Sequence, residues 1–558
     1  MQSFFSFIVA LFLTVLLVPV AMRFATSLGL VDRPDADRKM HRKTIPRCGG
    51  LAMVAAAIVP LIMWLPLDRD SVSLLLAILV IAFFGVWDDR VDLDYRIKLF
   101  GQSLAIIIVM SGGTILWHLP LFGLEPVPAY LAYPVTFLFL LGVTNAVNLA
   151  DGLDGLAGGC ALLTLGMIAL LAYLATDRST AMPLLVLTLA AMGSILGFLR
   201  FNTHPAVVFM GDTGSQFLGL IAGIAAIRLT EQVHGSVSAM LPFLLLGMPI
   251  LDTCWVMAQR LLSGHSPFSA DRNHIHHKLL SLGFYHHEVV ALIYAAHATL
   301  ISLAFFLRYE SDLLLLTIYL GFCGTVIGLY SWAKATGWQV RPEKPSAPAQ
   351  EILLANALGI WLKQRAPAID TAFPMLAGGV LLFLALGAFC PPRISFDLGL
   401  LAGGVAILFT ICWLGFPQRQ TLPQRIAVYT AILTSSYLLT VSADSSWLRL
   451  SWLNLYCVGL LLLLLLAIRL GHERSFRASP QDFLVLFFAI AVPNIADELF
   501  ASFPAAEMTF HVVVLFYVSE FLISERERGR TAKLSSMILS AGVIGFLGVI
   551  ALRGLAAV

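Results

Sequence analysis

SVSLLLAILVIAFFGVWDDRVDLD (71–94) carries no charge from Ser71 to Trp87 and then sets down Asp88, Asp89, Asp92 and Asp94. An uncharged apolar run of that length can cross a hydrocarbon core roughly 30 Å thick as a helix. Carboxylates are expensive beside a bilayer, so acids gathered at a span end mark a candidate site. The alternation recurs along the chain. Apolar runs near 3–22, 48–66, 98–117, 129–147, 156–176, 180–199, 214–230, 238–260, 289–307 and 311–332 frame four more polar islands: Asp32–Gly50, Asn145–Gly159, Asn202–Ser215 and Ser266–His277. The reading is an all-α, polytopic integral membrane protein.

Only 12% of the 558 residues are charged, about half the share in soluble domains. A net charge of +2 gives no basis for a nucleic-acid partner; what matters is where Lys and Arg sit. Arg23, Arg33, Arg38, Lys39, Arg42, Lys43 and Arg47 crowd the first loop, which places it in the cytoplasm and the N-terminus outside. Counting crossings from there brings all five islands to the cytoplasmic face. About eleven spans end near residue 335. Residues 336–371 read as a cytoplasmic linker: Pro342, Pro345 and Pro348 open it, and Leu354, Leu358, Trp361 and Leu362 line one face of an interfacial helix. About seven further spans fill 372–558, where Glu520 is expected to snorkel to the interface and Asp497 and Glu498 are further acids.

The islands carry distinct chemistry. Adjacent Asp88 and Asp89 repel, so in a dehydrated site they need a cation or a retained proton; the alternative is an ordinary solvated helix end. NAVNLADGLDGLAGG (145–159) sets Asp151 and Asp154 among glycines that permit close backbone approach. Its two acids suit a metal, or a hydrogen bond to a base or sugar, or helix caps. In FMGDTGS (209–215), Asp212 is as fit for an N-cap as for catalysis. In SADRNHIHH (269–277), Arg272, His274, His276 and His277 can grip phosphate oxygens. Their spacing suits zinc poorly, and His286 and His287 are expected to face solvent. Together the islands suggest phosphoryl chemistry on a lipid-borne substrate.

GVWDDRVD (85–92), NAVNLADGLDGLAGG (145–159), FMGDTGS (209–215) and SPFSADRNHIHH (266–277), with IPRCGG (45–50), resemble in their order the polyprenyl-phosphate N-acetylhexosamine-1-phosphate transferases. The resemblance covers residues 1–335 and implies a cytoplasmic cleft in a bacterial inner membrane. It also implies Mg²⁺ or Mn²⁺, a UDP-N-acetylhexosamine donor, undecaprenyl phosphate as acceptor and UMP as leaving group; a homodimer is compatible with it. Matching motif to motif, Asp212 and Asp89 are expected at the metal, and Asp88, Asp89, Asp212 and His276 form the catalytic set. Lys43, Asn148, Asp151, Asp154, Asn202 and Phe209 are expected around the nucleotide, and Arg272, His274 and His277 around the diphosphate or sugar. The His-rich form points to GlcNAc-1-phosphate transfer that starts lipid-linked envelope polysaccharides. A phospho-MurNAc-pentapeptide transferase is the alternative, and a secondary transporter is the non-enzyme reading.

Overall fold

The computed structural model describes residues 2–32, 44–123, 125–233, 237–264, 273–341, 367–391, 394–415, 421–442, 450–470, 505–525 and 530–556. Among these, eleven helices are long and apolar enough to cross a membrane, and the chain is an all-α polytopic membrane protein. Lys43, Arg272, Asp497, Glu498 and residues 342–366 of the linker lie outside the described residues.

Contacts divide the described residues into two compact units, one holding the helices up to Thr336 and the other those from Pro367 onward. The first unit comprises α1 (Gln2–Leu28), α2 (Gly49–Trp64), α3 (Arg69–Val91), α4 (Tyr95–Ser111), α5 (Ala129–Ala150), α6 (Leu156–Tyr173), α7 (Arg178–Asn202) and α8 (Gly211–Arg228). After these come α9 (Leu241–Leu245), α10 (Gly247–Leu262), α11 (Ile275–Ser281), α12 (His286–Phe306) and α13 (Asp312–Thr336). A two-residue ribbon, β1 (Val31–Asp32) against β2 (Ile45–Pro46), closes the base of the basic loop.

α8 is the axis of this unit and is enclosed by its neighbours from Thr213 to Arg228. Lipid tails are as apolar as leucine, so helices in a membrane associate by close packing, and small residues let backbones approach. A Cβ on Gly50 would lie 2.2 Å from the Gly214 nitrogen, and one on Gly85 would lie 2.5 Å from the Thr213 Cα. Glycine at these two points therefore brings α2 and α3 against the start of α8. At the far end of α8 the buried Arg228 donates to Asp70 Oδ1 at 2.6 Å. α3 is thus fastened to α8 near both of its ends, which fixes their register.

The apolar run expected as one span over 238–260 is broken. It forms α9 and α10, with Leu246 between them as C-cap of one and N-cap of the other. A broken helix at membrane depth needs partners for its freed backbone groups. Thr164 Oγ1 donates to the Leu245 carbonyl at 2.7 Å and Tyr319 Oη to that of Gly247 at 3.0 Å.

The second unit contains α14 (Pro367–Phe389), α15 (Phe396–Gly415), α16 (Thr421–Val441), α17 (Leu450–Leu470), α18 (Ala505–Ser524) and α19 (Arg530–Leu555). Its apolar core includes Phe373, Phe383, Phe409, Phe521 and Phe546. Glu520 does not snorkel alone: it accepts from Arg425 Nε at 3.0 Å and from the Tyr429 hydroxyl, both on α16. Glu520 and Arg425 both lie near the ends of their helices and stay partly exposed, and pairing with a cation lowers the cost of an acid there.

Candidate active site

The ends of α3, α5 and α7 and the starts of α4, α6, α8 and α12 meet at one end of the first unit around a cavity of about 680 Å³. Four of the five polar islands contribute to its wall through Asp32, Asp88, Asp151 and Asp212, and the fifth through His277.

At the floor, Lys98 of α4 reaches two carboxylates. Its Nζ lies 2.6 Å from Asp88 Oδ2 and 3.1 Å from Asp212 Oδ2. Asp88 is 4% exposed, and its second oxygen accepts from the Leu93 amide at 2.7 Å. Asp212 is more open, its side chain 32% accessible, and Asn148 Nδ2 donates to it at 3.2 Å. The same amide nitrogen donates to Ser215 Oγ at 2.7 Å. Acids from two helices thus converge on one cation. Lys98 escaped the sequence reading because a lone lysine four residues beyond an acidic run resembles an ordinary charged helix start; its signal was its place at the head of a span.

Asp89 has a different task from the one expected. Its Oδ1 accepts from the Asp212 amide at 2.8 Å, and its Oδ2 from the Thr213 amide at 3.1 Å and the Thr213 hydroxyl at 2.6 Å. It caps the N-terminus of α8 from another helix, an arrangement favoured by the free amides and positive end of the helix dipole. Gly211 makes room for it, with φ +66° and a Cβ position only 2.4 Å from Asp89 Oδ1. Asp212 is therefore released from the capping role weighed for it and turns into the cavity. Asp92 also lines the cavity, while Asp94 caps α4 through the Arg96 amide at 2.9 Å.

The glycine-rich island forms the second wall. Asp154 Oδ2 accepts from the Ala206 amide at 3.1 Å and pairs with His204 Nδ1 at 2.7 Å. Burial works against its charge, but these two bonds prevail and hold the carboxyl below the usual range. Asp151 is pushed up to about 7 by burial, with Asp212, Asp89 and Asp154 adding repulsion. Asn202 lines the same wall, but it is 3% exposed, accepting from the Gly155 amide and donating to the Val208 carbonyl, both at 2.9 Å. Phe209 is tied by its backbone to the ribbon, its amide donating to the Pro46 carbonyl at 2.8 Å.

The histidines separate. His277 lines the cavity. His276 is 3% exposed and lies beneath the glycine-rich loop, where a Cβ on Gly152 would meet its Nε2 at 2.2 Å. Burial, with His277 beside it, pushes its imidazole down to about 3. His274 packs on Asp252, Nδ1 to Oδ2 2.9 Å. His274 and His276 thus brace the wall from behind. His286, expected in solvent, instead faces the cavity. Position 286 begins a helix whose packing on α6 turns that residue inward, which local sequence does not encode.

Such a site, with acids, amides and imidazoles gathered at one end of a membrane helix bundle, defines a membrane-embedded enzyme. Residues 71–230 match the model of glycosyl transferase family 4. A probable undecaprenyl-phosphate N-acetylglucosaminyl 1-phosphate transferase of Bacillus subtilis (strain 168) is 35% identical over 292 residues, 52% of this chain and 80% of its own length. A decaprenyl-phosphate N-acetylglucosaminephosphotransferase of Mycobacterium leprae is 36% identical over 49% of this chain and 77% of its own. An undecaprenyl-phosphate alpha-N-acetylglucosaminyl 1-phosphate transferase of Escherichia coli (strain K12) is 29% identical over 60% and 91%. The chain belongs to glycosyl transferase family 4, and about half of it extends beyond the B. subtilis match.

Proposed function

We propose that the chain transfers N-acetylglucosamine 1-phosphate from a UDP-sugar to undecaprenyl phosphate, releasing UMP, at the cytoplasmic face of a bacterial inner membrane. The observation that carries this is the pairing of Asp88 and Asp212 through Lys98 in a cavity at the ends of the spans, in a chain with relatives named for that transfer. All five polar islands converge there.

Two carboxylates from separate helices, one of them open to the cavity, suit a hard oxygen-liganded ion, so the residues fit Mg²⁺ or Mn²⁺. Asp212 would be its principal ligand, with Asp88 the second where the ion takes over the place of Lys98 at Oδ2; Asp89, whose oxygens serve α8, positions Asp212. The ion supplies charge neutralisation to the phosphates. Lys98 and Arg47, both at the cavity wall, add charge-assisted hydrogen bonds to phosphate oxygens. Asp151, Asp154, Asn202, Phe209 and His277 wall the nucleotide and sugar, with Lys43 and Arg272 contributing as the resemblance implies.

A phosphate monoester has a second pKa of about 6, so the acceptor arrives largely deprotonated and needs orientation more than a base. Asp88, held by Lys98, keeps its place at the membrane surface where that headgroup lies. An acceptor oxygen forms a bond to the β-phosphorus as the bond to the UMP oxygen breaks. Residues 1–335 carry this reaction and 372–558 form a separate membrane unit joined by the 336–371 linker.

The test is incubation of membranes containing the chain with radiolabelled UDP-GlcNAc and undecaprenyl phosphate. UMP and a lipid diphosphate sugar are expected, and a protein ending near residue 340 retains the activity. UMP release with UDP-MurNAc-pentapeptide but not UDP-GlcNAc would transfer the assignment to the peptidoglycan branch.

A further inference from the structure

Asp154, His204 and His286 come from three separate places: the turn before α6, the segment after α7 and the first turn of α12. One ligand atom from each lies within 4.8 Å of the other two. The His204 and His286 rings are stacked, with centroids 4.2 Å apart and planes 22° apart. His286 Nε2 is shut off from solvent with no hydrogen-bond partner. A buried nitrogen left unpaired costs roughly 1–3 kcal/mol, so its place beside a carboxylate and a second imidazole calls for a ligand.

We propose that Asp154, His204 and His286 form a Zn²⁺ site in the cavity wall, apart from the Asp88–Asp212 cluster. Two imidazoles and one carboxylate are a donor set that Zn²⁺ takes, whereas Mg²⁺ selects oxygen. The Ala206 amide, 3.1 Å from Asp154 Oδ2, supplies the outer hydrogen bond that orients a ligating carboxylate. The ion has access, since the His204 side chain is 42% exposed. Bound there, it ties the glycine-rich loop to the start of α12 and occupies the carboxylate that the functional reading gives to the nucleotide.

The full-length protein in nanodiscs, stripped by chelator and then held in saturating Mg²⁺, is titrated with ZnCl₂ by calorimetry, and the bound ion is examined by X-ray absorption. About one Zn²⁺ per chain is expected, with imidazole nitrogen and oxygen at about 2.0–2.1 Å and no sulfur. His204→Ala and His286→Ala each weaken binding by more than the roughly 10–100-fold that loss of an outer partner costs, and His287→Ala leaves it intact. Sulfur ligation, absence of uptake by the wild-type protein, or unchanged binding in both alanine variants overturns the site. The wild-type spectrum decides the matter if a variant fails to fold. None of these readouts needs turnover, so the result stands apart from the proposed transfer activity.

Discussion

Replacing Lys98 by Met should convert the acidic pair into a cation-dependent element of stability. Lys98 Nζ stands 2.6 Å from Asp88 and 3.1 Å from Asp212. At an effective dielectric near 20, each contact amounts to about 5–6 kcal/mol before desolvation is subtracted. Breaking a buried pair by removing one partner costs roughly 3–5 kcal/mol. The Lys98 side chain is 29% exposed, so the lower end, about 3 kcal/mol, applies. At about 2 °C per kcal/mol for a unit of this size, the melting temperature falls by roughly 6 °C. Two carboxylates left facing each other bind a divalent ion more tightly, so Mg²⁺ should restore most of that loss, and Lys98→Arg should lose little. The assay is thermal unfolding in nanodiscs with Mg²⁺ or EDTA. An equal drop in both conditions would refute the view that Lys98 and a metal balance the same charges.

Asp212→Asn should lower UMP release by about 10²-fold or more, the usual cost of removing a principal electrostatic element, while Asp177→Asn, on an exposed helix cap, changes little; near-normal turnover of the Asp212 variant at low Mg²⁺ rejects it as a ligand. Gly211→Ala should lose stability by at least the roughly 1–2 kcal/mol of a left-handed residue, and more from the clash with Asp89; unfolding at the wild-type temperature contradicts the cap. Asp151 holds its proton to about pH 7 when folded but only to about 3.9 when unfolded. Its contribution to stability therefore falls as pH rises from about 4 to 7 and is flat above, by at most about 4 kcal/mol. Asp151→Asn removes that slope, which unfolding at pH 5 and pH 8 measures. Direct attack by the lipid phosphate inverts a chirally labelled β-phosphate; net retention would require a covalent intermediate on the protein.

The helices of the first unit were legible because apolar runs, basic loops and polar islands alternate at membrane length. The break at Leu246 was not foreseen, although Pro242, Gly247 and Pro249 surround it; what makes it tolerable is Thr164 and Tyr319 on distant helices. Asp88 stood out by sitting where acids are costly, whereas Asp212, as fit by itself for an N-cap as for catalysis, was singled out by the resemblance of its motif. The division of labour between Asp88 and Asp89 did not, because neighbouring residues on a helix end point in directions that only the packing of α3 on α8 assigns. His274 and His276 carried the same ambiguity: an H-x-H-H string names the chemistry, while burial behind Gly152 decides which ring meets the cavity. Lys98 was invisible as a single residue and becomes evident only between two carboxylates.

The cap that Asp89 places on α8 bears on how loss-of-activity surveys of this enzyme are interpreted. A survey ranking positions by residual turnover would group Asp89 with Asp88 and Asp212, since removing it unlatches the helix start that aims Asp212. Yet Asp89 need never touch a reactant. It acts as a hinge pin does for a lock: without the pin the bolt no longer meets its plate, although the lock is sound. Substitutions at Thr213, which shares that latch, should reproduce the Asp89 defect in milder form, and a survey that includes both can separate alignment from chemistry.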